Sequence, residues 1–205
     1  VTGRFISVEG GEGGGKSTQL GLLADRLRAR GIDVVATREP GGTPGAEAIR
    51  ALIVDGDASR WDGRAEALLV NAARADHVAR LIRPALAAGR WVLSDRYVHS
   101  TLAYQGAGRG LDEAELRALH RFATGDLWPD LTLILDVEPA TGLDRAATRG
   151  GSARFEGESA AFHARVRERM RAFAGDGGCV LIDAGAPVDA VAEAVWAAVA
   201  ARFGL

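Results

Sequence analysis

The chain has 205 residues, 47% hydrophobic and 25% charged, which is the composition of a folded protein with a sizeable core rather than of a disordered or fibrous one. A net charge of −2 excludes general attraction to nucleic acid or to an anionic membrane, so any anion site has to be local. One cysteine, Cys179, rules out an internal disulfide and fits a reducing cytosol; no run reads as a signal peptide or is long enough to span a bilayer, so the expected location is the cytoplasm.

Short apolar, β-branched runs recur at 5–8, 32–37, 91–94, 131–137 and 179–183. Helical patterns separate them at 16–30, 43–54, 63–88, 112–124, 139–148, 159–174 and 188–203. Alternating strands and helices predict an α/β fold, a parallel sheet with helices on both faces. The runs are nearly continuous in apolar residues, as in strands buried on both sides, and Cys179 reads as a buried strand thiol in one of them. Gly31 and Gly89 each sit between a helix and a strand, where a helix-ending glycine belongs. No repeat or low-complexity segment interrupts the pattern, so residues 1–205 are expected to form a single domain.

The first strand runs directly into Gly10-Gly11-Glu12-Gly13-Gly14-Gly15-Lys16-Ser17-Thr18, and a helix follows at once. Gly10 to Ser17 has the spacing G-x-x-x-x-G-K-S of a phosphate-binding loop. Glycines let successive backbone N–H groups converge on an anion at a helix N-terminus. Lys16 then reaches the outer phosphates of a nucleoside triphosphate, and the Ser17 hydroxyl is placed to ligate Mg²⁺. Glycine alone would be weak evidence, because the chain contains 27. Lys16, however, is the only lysine; apart from the four histidines, the other basic residues are all arginine.

Function in such a sheet gathers at the carboxyl ends of the strands. The second strand ends in Arg38-Glu39-Pro40-Gly41-Gly42, the third in Ser94-Asp95-Arg96, the fourth in Asp136-Val137-Glu138 and the fifth in Asp183. Asp95 is placed to organise Mg²⁺, and Arg96 and Arg38 to clamp a second phosphate. The acids at 136–138 also suit helix capping. Downstream, Tyr104 and Gln105, together with Arg74 on the long third helix, are candidates to read a base. Arg145, Arg149 and Arg154 are spaced among Gly150, Gly151 and Ser152, which reads either as an exposed basic loop or as a flap that closes over transferring phosphate. Arg165, Arg167, Arg169 and Arg171 read as a solvated helix face.

Taken in order, the segments Val8 to Thr18, Thr37 to Thr43, and Asp95-Arg96-Tyr97 with Ser100-Thr101-Leu102-Ala103-Tyr104-Gln105-Gly106 resemble the motifs of the thymidylate kinases, across essentially the whole chain. The resemblance implies a three-layer α/β/α phosphate-loop nucleoside-monophosphate-kinase fold with a five-stranded parallel sheet, a mobile lid at about 145–158, and a homodimer. It implies phosphorylation of dTMP to dTDP by ATP with Mg²⁺. By position, Gly10 to Thr18 would bind ATP. Glu12 would touch the acceptor nucleotide, and Arg38 and Arg96 would hold its phosphate. Arg74, Thr101 and Gln105, beside Ser100, would read thymine, and Tyr104 would disfavour a ribose 2′-OH. The catalytic arginines would come from the lid, as Arg149 and Arg154, because the loop carries Gly13 at the alternative position. One departure stands out: Val70 occupies the place of a phenylalanine that stacks on thymine, a loss on the order of 1 kcal/mol. A kinase for another nucleoside monophosphate is the near alternative. A guanine-nucleotide switch would need an Asn-Lys-x-Asp segment, for which the chain has no second lysine.

Overall fold

Strand β1 (Phe5–Gly10) is buried along its whole length because it is the middle of the sheet. The structure is a computed structural model and describes residues 3–148 and 153–205. β3 (Trp91–Asp95) and β4 (Leu131–Asp136) flank β1; β2 (Val34–Arg38) and β5 (Cys179–Asp183) lie outside them, in the order β2-β3-β1-β4-β5. All pairings are parallel, with Val8 opposite Asp95, Arg38 opposite Asp95, Gly10 opposite Leu135 and Asp136 opposite Asp183. This register levels the strand ends, so their charged residues share one rim.

Strand alternation divides the two faces. Ile6, Val8, Leu131, Leu133 and Leu135 pack on α1 (Lys16–Arg28) and α10 (Val188–Phe203), an apolar layer completed by Leu20, Leu23, Leu27, Val191, Val195 and Val199. Phe5, Val92 and Ile134 face the other layer, with Tyr97, Leu102, Phe162 and Met170. That second face also carries Ser7 and Thr132, whose hydroxyls bond to each other at 3.1 Å, and Glu9. The polar side chains of β1 therefore point toward the half of the molecule that builds the cleft.

α2 (Pro44–Val54) starts at Thr43, whose hydroxyl accepts from Ala46 N, and α3 (Gly63–His77) at Asp62, whose carboxylate accepts from Arg64 N and Ala65 N. The helix expected over 63–88 runs on through a π-helical turn, Val78–Ile82, into α4 (Arg83–Ala87). Pro84 cannot donate to the ladder, and the wider turn, with Arg83 N bonded to Val78 O, carries the chain past it.

The Ser100–Gly106 stretch, rich in small and polar groups, is helical as well: α5 (Val98–Thr101) continues as a π-helical Leu102–Gly108. α6 (Glu113–Thr124), α7 (Pro139–Ala147), a single turn α8 (Ala153–Glu156) and α9 (Ala160–Ala172) complete the chain.

The arginines of α9 do lie on a solvent-facing side, with Arg165 and Arg171 exposed and Arg167 and Arg169 partly so, but all four are also held by partners. Arg167 and Arg171 reach Asp136 at 2.7 and 2.5 Å, and Arg169 reaches Glu113 at 2.9 Å. Arg165 donates to the Ala107 and Gly108 carbonyls at 3.0 and 2.8 Å, closing the C-terminal end of the π-helical segment. Their partners lie far away in sequence, so spacing within the helix does not reveal them.

Candidate active site

The loop between β1 and α1 is shaped by backbone that only glycine adopts easily. Gly15, at φ 79°, starts α1, and Gly13, at φ 64°, lies against α7 so closely that a Cβ there would sit 1.8 Å from Gly142 O. Gly13 thus leaves no room for an arginine in the loop. Lys16 is buried and donates to Gly11 O at 2.7 Å and Gly10 O at 3.3 Å, folding its ammonium back over the loop it must serve. Burial and the neighbouring Arg96 lower its pKa to about 8 against the pull of Glu12, Asp95 and Glu9.

Loop and rim enclose a cleft of about 390 Å³. Its wall includes Glu12 to Ser17 of the loop, Arg38, Val70, Arg74, Asp95, Arg96, Ser100, Thr101, Tyr104 and Gln105. One cavity therefore unites nearly every residue expected to hold either nucleotide. Gly10, Gly11 and Thr18 lie outside that wall, on β1, on the loop and in the first turn of α1.

Arg96 is the centre of this wall. It holds φ 71°, rare for a residue with a Cβ, stabilised by Arg96 N to Val8 O at 2.9 Å and Ser94 Oγ to Arg96 O at 2.7 Å. That turn sends its guanidinium back across the loop, where it donates to Glu12 at 2.8 Å, Gly10 O at 3.1 Å and Ser100 Oγ at 3.3 Å, and lies 5.0 Å over the Tyr104 ring. Glu12 also accepts from the Tyr104 hydroxyl at 3.0 Å. Burial works against the Glu12 charge, but Arg96, Lys16 and the Tyr104 hydrogen bond outweigh it and bring its pKa to about 2. Arg38 is more open and pairs with Glu47 at 3.1 Å.

The base end of the cleft is drier. Arg74 is fully buried; it donates to Glu39 at 2.7 Å, Thr101 Oγ1 at 2.9 Å, Tyr97 O at 3.1 Å and Asn71 Oδ1 at 3.3 Å. Gln105 Nε2 donates to Glu66 at 2.6 Å. Of the lid, Ala146, Phe155 and Glu156 reach the cleft. The structure does not bring Arg154 to the loop: its guanidinium is buried against Glu66, at 2.5 Å, and bonds Ile53 O at 3.1 Å. Without a guanidinium beside it, the buried Glu66 carboxylate would be an uncompensated charge. Arg149 lies outside the described residues.

The family model for thymidylate kinase matches residues 8–195. Curated thymidylate kinases are similar over nearly their full length. That of Caulobacter vibrioides is 54% identical, with 99% of each chain covered; that of Magnetococcus marinus is 50% identical, covering 99% of this chain and 98% of the relative; and that of Rhodopseudomonas palustris is 55% identical, covering 98% and 90%. The chain belongs to the thymidylate kinase family.

The observed sheet and its flanking helices are the phosphate-loop nucleoside-monophosphate-kinase fold expected of that family. Four residues of this site were given no individual role by sequence reasoning. Glu9, fully buried behind the loop, accepts from Ser100 Oγ at 2.5 Å and Tyr97 N at 2.8 Å, and burial raises its pKa. Glu39 accepts from Arg74 and from His77 Nδ1 at 3.0 Å, so it holds a base-side arginine from across the cleft. Arg50 of α2 joins the wall near Arg38, donating to Pro40 O at 2.7 Å. Glu66 gathers Gln105, Arg109 and Arg154. Glu9 and Glu39 end strands on the functional rim, which is a readable signal. Arg50 and Glu66 sit on helices among many charged residues, and nothing local marks them.

Proposed function

We propose that this protein transfers the γ-phosphoryl group of ATP to the 5′-phosphate of dTMP, giving dTDP and ADP. The observation that carries the reading is the single cleft lined at one end by the Glu12–Ser17 loop and at the other by Arg74, Thr101 and Gln105, with Arg96 between them. A phosphate oxygen of dTMP attacks the γ-phosphorus in line; the new P–O bond forms as the bond to the β–γ bridging oxygen breaks, and ADP leaves. The acceptor is already an anion, so no general base is required, and catalysis is positioning and charge neutralisation. The loop amides and Lys16 hold the donor phosphates. Arg96, Arg38 and the adjacent Arg50 hold the acceptor phosphate. Ser17 and Asp95, one hydroxyl and one carboxylate on the same wall, would hold a Mg²⁺. Mg²⁺, when bound, offsets charge on the β- and γ-phosphate oxygens. Tyr104, held by Glu12 and covered by Arg96, closes the sugar side.

Residues 145–158 act as the lid of a single domain. Within it Arg154 docks the lid on Glu66, and Arg149 brings positive charge to the transferring phosphate. The protein works in the cytoplasm as a homodimer. Supporting the dimer, Phe122 of α6, Leu68 of α3 and Leu52 of α2 expose 90%, 59% and 41% of their surface on helices that pack side by side. Among the described residues no helix is long and apolar enough to cross a membrane.

ATP consumption measured across dTMP, dUMP, dCMP, dGMP and dAMP tests the reading. dTMP is expected to give the highest kcat/KM. Better use of another monophosphate would replace dTMP as the substrate, and ATP turnover indifferent to all five would remove the kinase reading. Light scattering of Phe122→Asp against the parent tests the dimer; a dimeric variant would place the interface elsewhere.

A further inference from the structure

Glu66 lies outside the cleft wall, yet it holds the residue that faces the base. Its side chain is fully buried in α3. Oε1 accepts from Gln105 Nε2 at 2.6 Å and from Arg109 Nε at 3.4 Å; Oε2 accepts from Arg154 Nη2 at 2.5 Å and Arg109 Nη2 at 3.0 Å. Arg109 is in turn tied to Glu158 at 2.6 Å. We infer that Glu66 is a positioning residue for base specificity: it fixes which face of the Gln105 amide the cleft presents. The inference rests on the dTMP reading above.

The argument is one of donor and acceptor inventory. A side-chain amide has a donor end and an acceptor end that are nearly the same shape, so packing alone does not choose between them. A carboxylate paired with two guanidinium groups only accepts. The nitrogen end of Gln105 must therefore face Glu66, which leaves Oε1 for the cleft; among the described residues nothing else bonds that side chain.

Across from it, Arg74 uses four N–H groups on Glu39, Asn71, Tyr97 and Thr101, leaving one Nη1 hydrogen without a partner among the described residues. The wall thus offers a base one acceptor and one donor. Thymine carries the complement, an N3–H donor and an O4 acceptor. Cytosine carries the reverse, an N3 acceptor and an N4 amino donor. If Gln105 turned over, its amino end would meet the thymine N3–H and accommodate the N3 of cytosine. Arg109 and Arg154, bound to the same carboxylate, keep Glu66 from turning, so the lid segment and the π-helical end both brace this choice.

The test is the ratio of kcat/KM for dTMP over dCMP in Glu66→Gln. An amide at 66 donates as well as accepts, which frees Gln105 to turn. The ratio is expected to fall by roughly tenfold or more, because a mismatched buried hydrogen bond is what rejects the wrong base. The KM for ATP should stay within about twofold, since Glu66 touches nothing on the phosphate side. Glu66→Asp keeps an acceptor-only group and should retain the dTMP preference even where the rate drops. If the loss of a buried negative charge prevents folding of Glu66→Gln, the double variant E66Q/R109Q removes one charge of each sign and serves as the same test. A folded variant with an unchanged ratio overturns the inference. So does an Asp variant that loses preference as fully as the Gln variant, which would mark general damage. A parent enzyme that already prefers dCMP would instead overturn the dTMP reading itself.

Discussion

The contact between Gly13 and Gly142 makes a quantitative claim about the phosphate loop. A Cβ added at Gly13 would lie 1.8 Å from Gly142 O, 2.6 Å from its carbonyl carbon and 2.9 Å from its Cα, all backbone of α7. The clash has no flexible side chain to absorb it. Gly13→Ala also forces a Cβ into a left-handed backbone at φ 64°, a cost of about 1–2 kcal/mol. Displacing packed backbone adds about 1–3 kcal/mol. A total near 3 kcal/mol lowers the melting temperature of a chain this size by about 6–12 °C. Gly15→Ala is the control for stability, since its φ of 79° carries the same conformational penalty while a Cβ there meets nothing within 4 Å. Thermal unfolding followed by circular dichroism should therefore rank the parent above Gly15→Ala and Gly15→Ala above Gly13→Ala. If Gly13→Ala melts within about 2 °C of Gly15→Ala, the loop and α7 are not in tight contact, and sterics do not explain why position 13 is glycine.

Other consequences follow from the same geometry. Gly21 lies inside α1 with nothing within 4 Å of an added Cβ, so Gly21→Ala should raise stability by about 0.5–1 kcal/mol, read as a small increase in melting temperature. Lys16, with its pKa lowered to about 8, is protonated in both folded and unfolded chains below that value and adds no slope to stability there. Above it the folded chain releases the proton before the unfolded one does, so this group makes stability rise with pH from about 8 toward the ordinary lysine value, while the ammonium needed for phosphate is lost. kcat/KM for ATP should fall on an alkaline limb near pH 8, with kcat holding to higher pH because bound phosphate retains the proton; a flat kcat/KM profile to pH 10 would contradict this. Val70 lines the cleft as an aliphatic, so Val70→Phe should lower the KM for dTMP about two- to tenfold through stacking, and an unchanged KM would mean the base is held otherwise.

How far the sequence reveals this molecule depends on how local each signal is. The sheet was legible because buried parallel strands are short continuous apolar runs, and the loop because its chemistry demands glycines and a lysine at set spacing. Helix 98–108 was not. Its Ser, Thr, Ala, Gln and Gly side chains carry no apolar period, and the π-helical geometry of Leu102–Gly108 would blur one in any case. The rim was visible as a set of charges, but its internal pairing was not. Arg74 meets Glu39 from 35 positions away, Arg96 meets Glu12 from 84, and Arg154 meets Glu66 from 88. The first two separations are closed by the sheet order, which places β3 between β2 and β1, and the third by α8 meeting α3, arrangements that no stretch of sequence encodes by itself.

The two arginine–glutamate pairs at the end of β2 separate what moves from what stays. Arg38 and Glu47 are 57% and 40% exposed, and a pair that open is worth about 0.5 kcal/mol or less in water. A phosphate dianion offers Arg38 a better partner, so substrate binding can release it at little cost. Arg74 and Glu39 are 1% and 2% exposed, and breaking such a pair by removing one charge costs about 3–5 kcal/mol. No ligand group repays that, so Arg74 stays on Glu39 and meets the base with the one hydrogen it has left. Glu39→Gln should therefore lower the melting temperature by about 6–20 °C and raise the KM for dTMP. Arg38→Gln should leave the melting temperature within about 2 °C of the parent while weakening dTMP through its phosphate alone. Thymidine, which lacks that phosphate, distinguishes the two: its binding should be lost in Glu39→Gln and unchanged in Arg38→Gln. Equal losses of thymidine binding in both would mean that the acceptor site opens and closes as one unit rather than in an exposed half and a fixed half.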